Sequence, residues 1–144
     1  MIKKMIKYVD YNGVERNEGF LFNLSKAELM EMEMGTTGGL AEMIQKLIET
    51  QDAPAIIQIF KDLILKAYGE KSADGKRFIK VDENGRKLAN DFAQTEAYSQ
   101  LFMELATNAD EASKFIQGII PNDIDISNAK LPNGQVASFP QNNQ

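Results

Sequence analysis

Between Ile56 and Tyr68 the chain carries Ile56, Ile57, Ile59, Phe60, Leu63, Ile64 and Leu65, a set that is apolar around most of a helix's girth. A helix of that kind offers little to water and belongs at the centre of a domain. The rest of the sequence must be arranged around it. Asp52 and Pro54 mark its start, because proline is tolerated in a first turn. Gly69 reads as the left-handed residue just past its end. With 144 residues, 43% of them apolar, the chain suits one compact domain with a modest core.

The segments before this helix read as a hairpin and two further helices. Tyr8, Val9 and Tyr11 favour strand, and Asn12-Gly13 is the dipeptide preferred by a tight type I′ turn. In the return strand Phe20, Phe22 and Leu24 alternate with Leu21 and Asn23, so one face is strongly apolar and needs a cover. Ser25, with Glu28 three residues on, forms a capping box for a helix ending near Met34. Met30 and Met34 suit its core side and Met32 falls off it, while Glu28, Glu31 and Glu33 read as a solvated face. After Gly35-Thr36-Thr37-Gly38-Gly39, the residues Leu40, Met43, Ile44, Leu47 and Ile48 follow helical spacing.

Beyond the central helix, Ser72-Ala73-Asp74-Gly75 reads as a turn and Arg77 to Val81 as a short strand. Asn84-Gly85 offers a second hairpin turn. Tyr98, Leu101, Phe102 and Leu105 share one face of a helix from about Thr95 to Ala106. Asn108 and Glu111 resemble a second capping box, and Ala112, Phe115, Ile116 and Ile119 form a last stripe closed by Pro121. The spacing predicts an α+β fold, mainly helical, with an N-terminal β-hairpin (residues 5–24) packed on about five helices within 25–121. Residues 1–121 read as one domain. Residues 122–144, rich in Asn, Gln, Pro, Ser and Gly, read as a flexible tail.

Composition narrows the chemistry. With no histidine and no cysteine, the usual general base, the usual metal ligand and thiolate chemistry are all missing. Ser25-Lys26 and Lys71-Ser72 are better explained by capping and turns than by nucleophilic catalysis. Two stretches touch the calcium-loop pattern, but Asp82-Glu83-Asn84-Gly85 has its glycine too early and Asp123 to Ser127 meets Gly134 at the closing position. No phosphate-cradling glycine motif is present. The sequence predicts no enzyme, no cofactor and no metal site. The lysines of the N-terminal segment are not followed by an apolar core, so it does not read as a signal peptide. No uncharged apolar run approaches membrane-spanning length.

One basic stretch stands against a net charge of −5. Eight Lys/Arg face five acids between Lys61 and Asn90. Its loop, AYGEKSADGKRFIK from Ala67 to Lys80, offers Lys71, Lys76, Arg77 and Lys80 as candidate contacts for a partner. Solvated loop charge and a surface for an acidic or amphipathic protein both fit. Nucleic acid fits worst, since the rest of the surface repels phosphate. Tyr68, Phe78, Phe92 and Tyr98 are the aromatic residues expected to anchor the loop to the core.

Three stretches taken in order, FNLSKAELMEME, AYGEKSADGKRFIK and QTEAYSQLFMELATNADEASKFIQGIIP, resemble the tail assembly chaperones of long-tailed, siphovirus-type bacteriophages that infect Gram-positive bacteria. The resemblance covers about residues 5 to 121 and leaves out the tail. It implies a non-enzymatic protein that binds the tape measure protein, keeps it soluble and promotes polymerisation of the tail tube around it. It also implies a longer form, made by a translational frameshift, that recruits the major tail tube protein, and leaves self-association open. The expected location is the host cell cytoplasm, with the protein absent from the mature virion. The alternative is a structural component of the virion, a head–tail joining or tail completion protein.

Overall fold

The computed structural model describes residues 1–35 and 53–121, of which the side chains of 33–35, 53, 55 and 56 are left aside. The helix expected around Leu40 to Ile48, the start signal at Asp52 and the tail from 122 lie outside the described residues. So does the Asp123 stretch.

The chain opens with two antiparallel strands, β1 (Ile2–Val9) and β2 (Glu15–Phe22), paired from Ile2 with Phe22 to Val9 with Glu15. Helix α1 (Lys26–Gly35) follows, then α2 (Ala53–Ala67). Two short strands come next, β3 (Tyr68–Lys71) and β4 (Phe78–Ile79). Three helices complete the order, α3 (Leu88–Phe92), α4 (Glu96–Thr107) and α5 (Ala109–Ile119). The four strands form one antiparallel sheet in the order β1-β2-β3-β4. This is the expected α+β class, an N-terminal hairpin with five helices among the described residues.

The apolar side of β2 is the floor of the core. Phe22 and Leu24 are fully buried, joined by Leu63, Ile64, Leu101, Leu105, Phe115, Ile116 and Ile119 from the helices. Helix α4 packs across β1 and is flanked by α2 and α5. Two backbone bonds lock the sheet to helix ends: the Asn23 amide donates to the Ala67 carbonyl at 2.8 Å and the Leu24 amide to that of Ile119 at 2.6 Å.

Several expectations change at this level. The Asn12-Gly13 turn is not type I′, which needs positive φ at both residues. Only Gly13 is left-handed, with φ 81°. The Asp10 carboxylate accepts the amides of Asn12 and Val14 at 2.9 and 3.0 Å, which holds Asn12 at an ordinary φ. Helix α2 stops at Ala67 rather than Tyr68, and Gly69 is no helix terminus: it sits in β3, paired with Leu21. Its missing side chain matters for packing, since a Cβ there would stand 2.5 Å from the Phe78 ring and 2.9 Å from the Ile79 carbonyl oxygen. Nor is α2 buried on all sides. Phe60, Leu63, Ile64 and Ala67 face the core, while Ile57 is 48% exposed.

Helix α1 is also rotated from the expected face. Leu29 is buried and Met32 packs on the core, but Met30 is 65% exposed. The cause is the capping box, which forms as predicted. The Ser25 amide donates to Glu28 Oε1 at 2.8 Å and the Glu28 amide to Ser25 Oγ at 3.1 Å. That fixes Glu28 inward, so it is no solvated residue. At Asn108 only half a box forms. Its Oδ1 accepts the Glu111 amide at 3.1 Å, while the Glu111 carboxylate turns to Lys4 and Lys114.

Candidate functional site

The basic loop hangs between β3 and β4, and its shape comes from two short side chains. The Ser72 hydroxyl donates to Asp74 Oδ1 at 2.7 Å and accepts the Arg77 amide at 3.0 Å. Asp74 Oδ1 also accepts the Lys76 amide at 3.0 Å, and Gly75 turns left-handed with φ 75°. The amide of Lys76 first, and then the Ser72 hydroxyl, hold the Asp74 carboxyl below its ordinary range. Ser72 is itself buried, so the loop is a fixed turn stapled to the sheet edge. It carries Lys71, Lys76 and Arg77 outward, all exposed.

Lys80 is placed differently. Its ammonium donates to the Asn23 carbonyl at 2.8 Å, the Lys66 carbonyl at 2.8 Å and Glu28 Oε2 at 2.7 Å. It therefore joins the end of β2, the last turn of α2 and the capping box of α1. Burial lowers its pKa, against the pull of Glu28. With all three donors engaged inside the protein, Lys80 has a structural position unlike that of Lys71, Lys76 and Arg77.

The aromatic residues divide in the same way. Phe92 is the centre of a ring cluster: Tyr68 stacks on it at 4.3 Å, and Phe20, Phe22 and Tyr98 meet it at 5.3, 5.7 and 5.8 Å. The five-residue α3, which the spacing did not predict, delivers Phe92 to this point. Burial, and then the nearby Glu70 carboxylate, push the Tyr68 hydroxyl up to about 12. Phe78 stands outside the cluster. It is half-buried, lies over Gly69 and has the Lys80 ammonium 5.7 Å from its ring centre.

The Asn84-Gly85 stretch repeats the first turn. Asp82 Oδ1 accepts the amides of Asn84 and Arg86, both at 2.9 Å, and Gly85 has φ 82°. The carboxylate that resembled a calcium ligand is the turn's own acceptor. Among the described residues no group of three or more Asp or Glu is placed to hold a metal ion, and no helix is long and apolar enough to cross a membrane.

A second basic surface lies on β1, less conspicuous in the sequence than the larger run around the loop. Lys3, Lys4 and Lys7 occur there with no acid before Asp10. Lys4 turns inward to Glu104 and Glu111, both at 3.4 Å. Lys3 and Lys7 are exposed. Alternation with Met5 and Val9 was the available signal.

The arrangement thus offers turns, caps and charged surface. The family model described as phage tail assembly chaperone matches residues 1–144. The chain belongs to that family. The match takes in residues 122–144, which the motif resemblance left out. No curated protein and no solved structure matches the chain. The described residues of this tail assembly chaperone provide two exposed basic surfaces.

Proposed function

We propose that this chaperone binds the tape measure protein of a long-tailed phage with a Gram-positive host, keeps it soluble, and promotes polymerisation of the tail tube around it. The observation that carries this reading is the family match over the whole chain. Physical chemistry supports it. A long helical protein with uncovered apolar stripes aggregates. A small partner of net charge −5 that covers such stripes keeps the complex dispersed. Exposed apolar side chains on α1, α2 and α4, namely Met30, Ile57 and Met103, suit adaptable contacts of this sort. The exposed Lys71, Lys76 and Arg77 supply charge contacts at the rim. The work is binding without catalysis, done in the host cell cytoplasm, and the protein leaves before the virion is complete. A longer frameshifted form recruits the major tail tube protein.

Co-expression with the tape measure protein of the same phage tests the reading. The expected result is soluble tape measure protein that co-purifies with the chaperone, and purified particles without the chaperone. Tape measure protein that stays insoluble would sink the proposal. Stoichiometric chaperone in purified particles would instead favour a joining or completion role.

A further inference from the structure

Among the described residues strand β1 ends the sheet, and its hydrogen bonding can be read from the register. The Asp10 amide donates to the Val14 carbonyl at 2.9 Å, so position 10 turns its backbone N–H toward the β2 side. In an antiparallel ladder residues that face the partner strand in this way recur at every second position. Residues 8, 6, 4 and 2 therefore bond to β2 at 16, 18, 20 and 22. Lys3, Met5, Lys7 and Val9 turn their N–H and C=O groups away from β2. Among the described residues no other backbone group meets them. An eight-residue strand whose outer edge meets none of the described residues is a template for one more strand.

The side chains of the same four residues face the solvent side of the sheet. Met5 and Val9 are 57% and 51% exposed. Across the ladder Lys3 stands opposite Leu21 and Lys7 opposite Asn17. Neither lysine has an ion-pair partner among the described residues. The Lys3 stem leans over Gly19, where a Cβ would collide with its Cε. The outer face of the edge strand thus reads cation, apolar, cation, apolar.

Edge lysines usually discourage strand addition, because a second copy brings like charge. That protection is selective. A strand with carboxylates at the matching positions meets attraction where a copy of β1 meets repulsion. We propose that the open edge of β1 binds an extended segment of a partner protein as a fifth strand. This segment carries acidic residues four positions apart, with an apolar residue midway between them. The acids pair with Lys3 and Lys7 and the apolar residue covers Met5. Main-chain bonds at residues 3, 5, 7 and 9 supply affinity, and the charges set register. The proposal rests on charge and hydrogen bonding alone and stands whether or not the tape measure protein is the client.

The probe is a synthetic peptide the length of β1, with glutamates four apart, valine midway and threonine elsewhere. Its counterpart has lysine for glutamate. Calorimetry with the full chain is expected to show binding of the acidic peptide that weakens with salt, and none of the basic one. Lys3→Glu with Lys7→Glu should weaken the acidic peptide about tenfold or more, from two lost pairs and two new repulsions, and admit the basic peptide. Met5→Pro removes an amide that β2 does not use, so the ladder survives while the edge is blocked. It should abolish binding with the melting temperature nearly unchanged. Should that variant fail to fold, an acidic peptide N-methylated at alternate amides makes the same distinction on the wild-type chain. Equal binding of acidic and basic peptides, undiminished binding to Met5→Pro or of the methylated peptide, or a dimer of the free chain that Met5→Pro dissolves would each overturn the proposal.

Discussion

Lys80 shows how much one side chain can hold when its donors are all used. It joins three elements that are far apart in sequence, through Asn23, Lys66 and Glu28. Lys80→Met would leave two carbonyls and a carboxylate short of a partner, at a cost of about 1–3 kcal/mol. Urea unfolding should show that loss. The pair Lys76→Glu and Arg77→Glu should stay within about 0.5 kcal/mol of the parent and weaken capture of the client instead. Tyr68 gives a second residue-level prediction, in alkali. In the unfolded chain its hydroxyl ionises near 10.0, and in the folded protein near 12. The stability held by its neutral form is complete below pH 10 and is lost as pH rises from 10 to about 12. Lys80, with a lowered pKa, works in the opposite direction between that value and 10.5. Tyr68→Phe removes the first effect, so this variant should lose less stability than the parent across that window, as read by denaturant unfolding on either side of pH 10.

Among the elements, the turns were legible as turns, and the one at 12–13 was misread in type. Asn-Gly at 12–13 and 84–85 announces a reversal. It does not announce that an aspartate two residues earlier will capture two amides and leave only the glycine left-handed. Asp10 and Asp82 were visible, but their role depends on backbone geometry that residue spacing does not state. Gly13 and Gly85 have no atom within 4 Å of a built Cβ, so an alanine there meets strain and no clash. Gly13→Ala and Gly85→Ala should each cost about 1–2 kcal/mol, and similar shifts in thermal melts would confirm the shared geometry. The helices were legible where apolar spacing held, from Tyr98 to Leu105 and from Ala112 to Ile119, while at α1 the cap at Ser25 was legible and the buried face was not. α3 was hidden because five residues carry no periodicity and its first turn has no side-chain cap.

For the whole molecule, the core was foreseen through the alternation of Phe20, Phe22 and Leu24 and the stripes of α4 and α5. The position of Phe78 was not. Strand alternation sends it away from Arg77, but which face is the core depends on pairing with β3, which the sequence concealed by running a helix straight into a strand at Tyr68. Phe92 and Phe78 should therefore differ sharply. Phe92→Ala opens the ring cluster and is expected to cost about 3–5 kcal/mol. That is a large share of the 5–15 kcal/mol typical of domains. Phe78→Ala exposes Gly69 and part of Lys80 and should cost less than half as much in the same chemical denaturation series. The exposure of Lys71, Lys76 and Arg77 was legible, because charge in a polar loop stays exposed. The internal bonds of Lys80 were not, because its partners lie 14 to 57 residues away.

The two Asn-Gly turns also bear on how long a molecule of this protein survives unaltered. An asparagine before glycine loses ammonia when the glycine nitrogen attacks its side-chain carbonyl through a succinimide ring. In both turns that nitrogen is already a donor: Gly13 gives its hydrogen to the Asp10 carbonyl at 2.9 Å and Gly85 to the Asp82 carbonyl at 3.0 Å. A nitrogen so held resists the deprotonation and rotation that attack requires. Incubated for weeks, the folded chain should convert Asn12 and Asn84 to aspartate or isoaspartate far more slowly than the same chain in urea, as peptide mass spectrometry can follow. Equal rates in the two states would mean that folding gives these asparagines no chemical shelter.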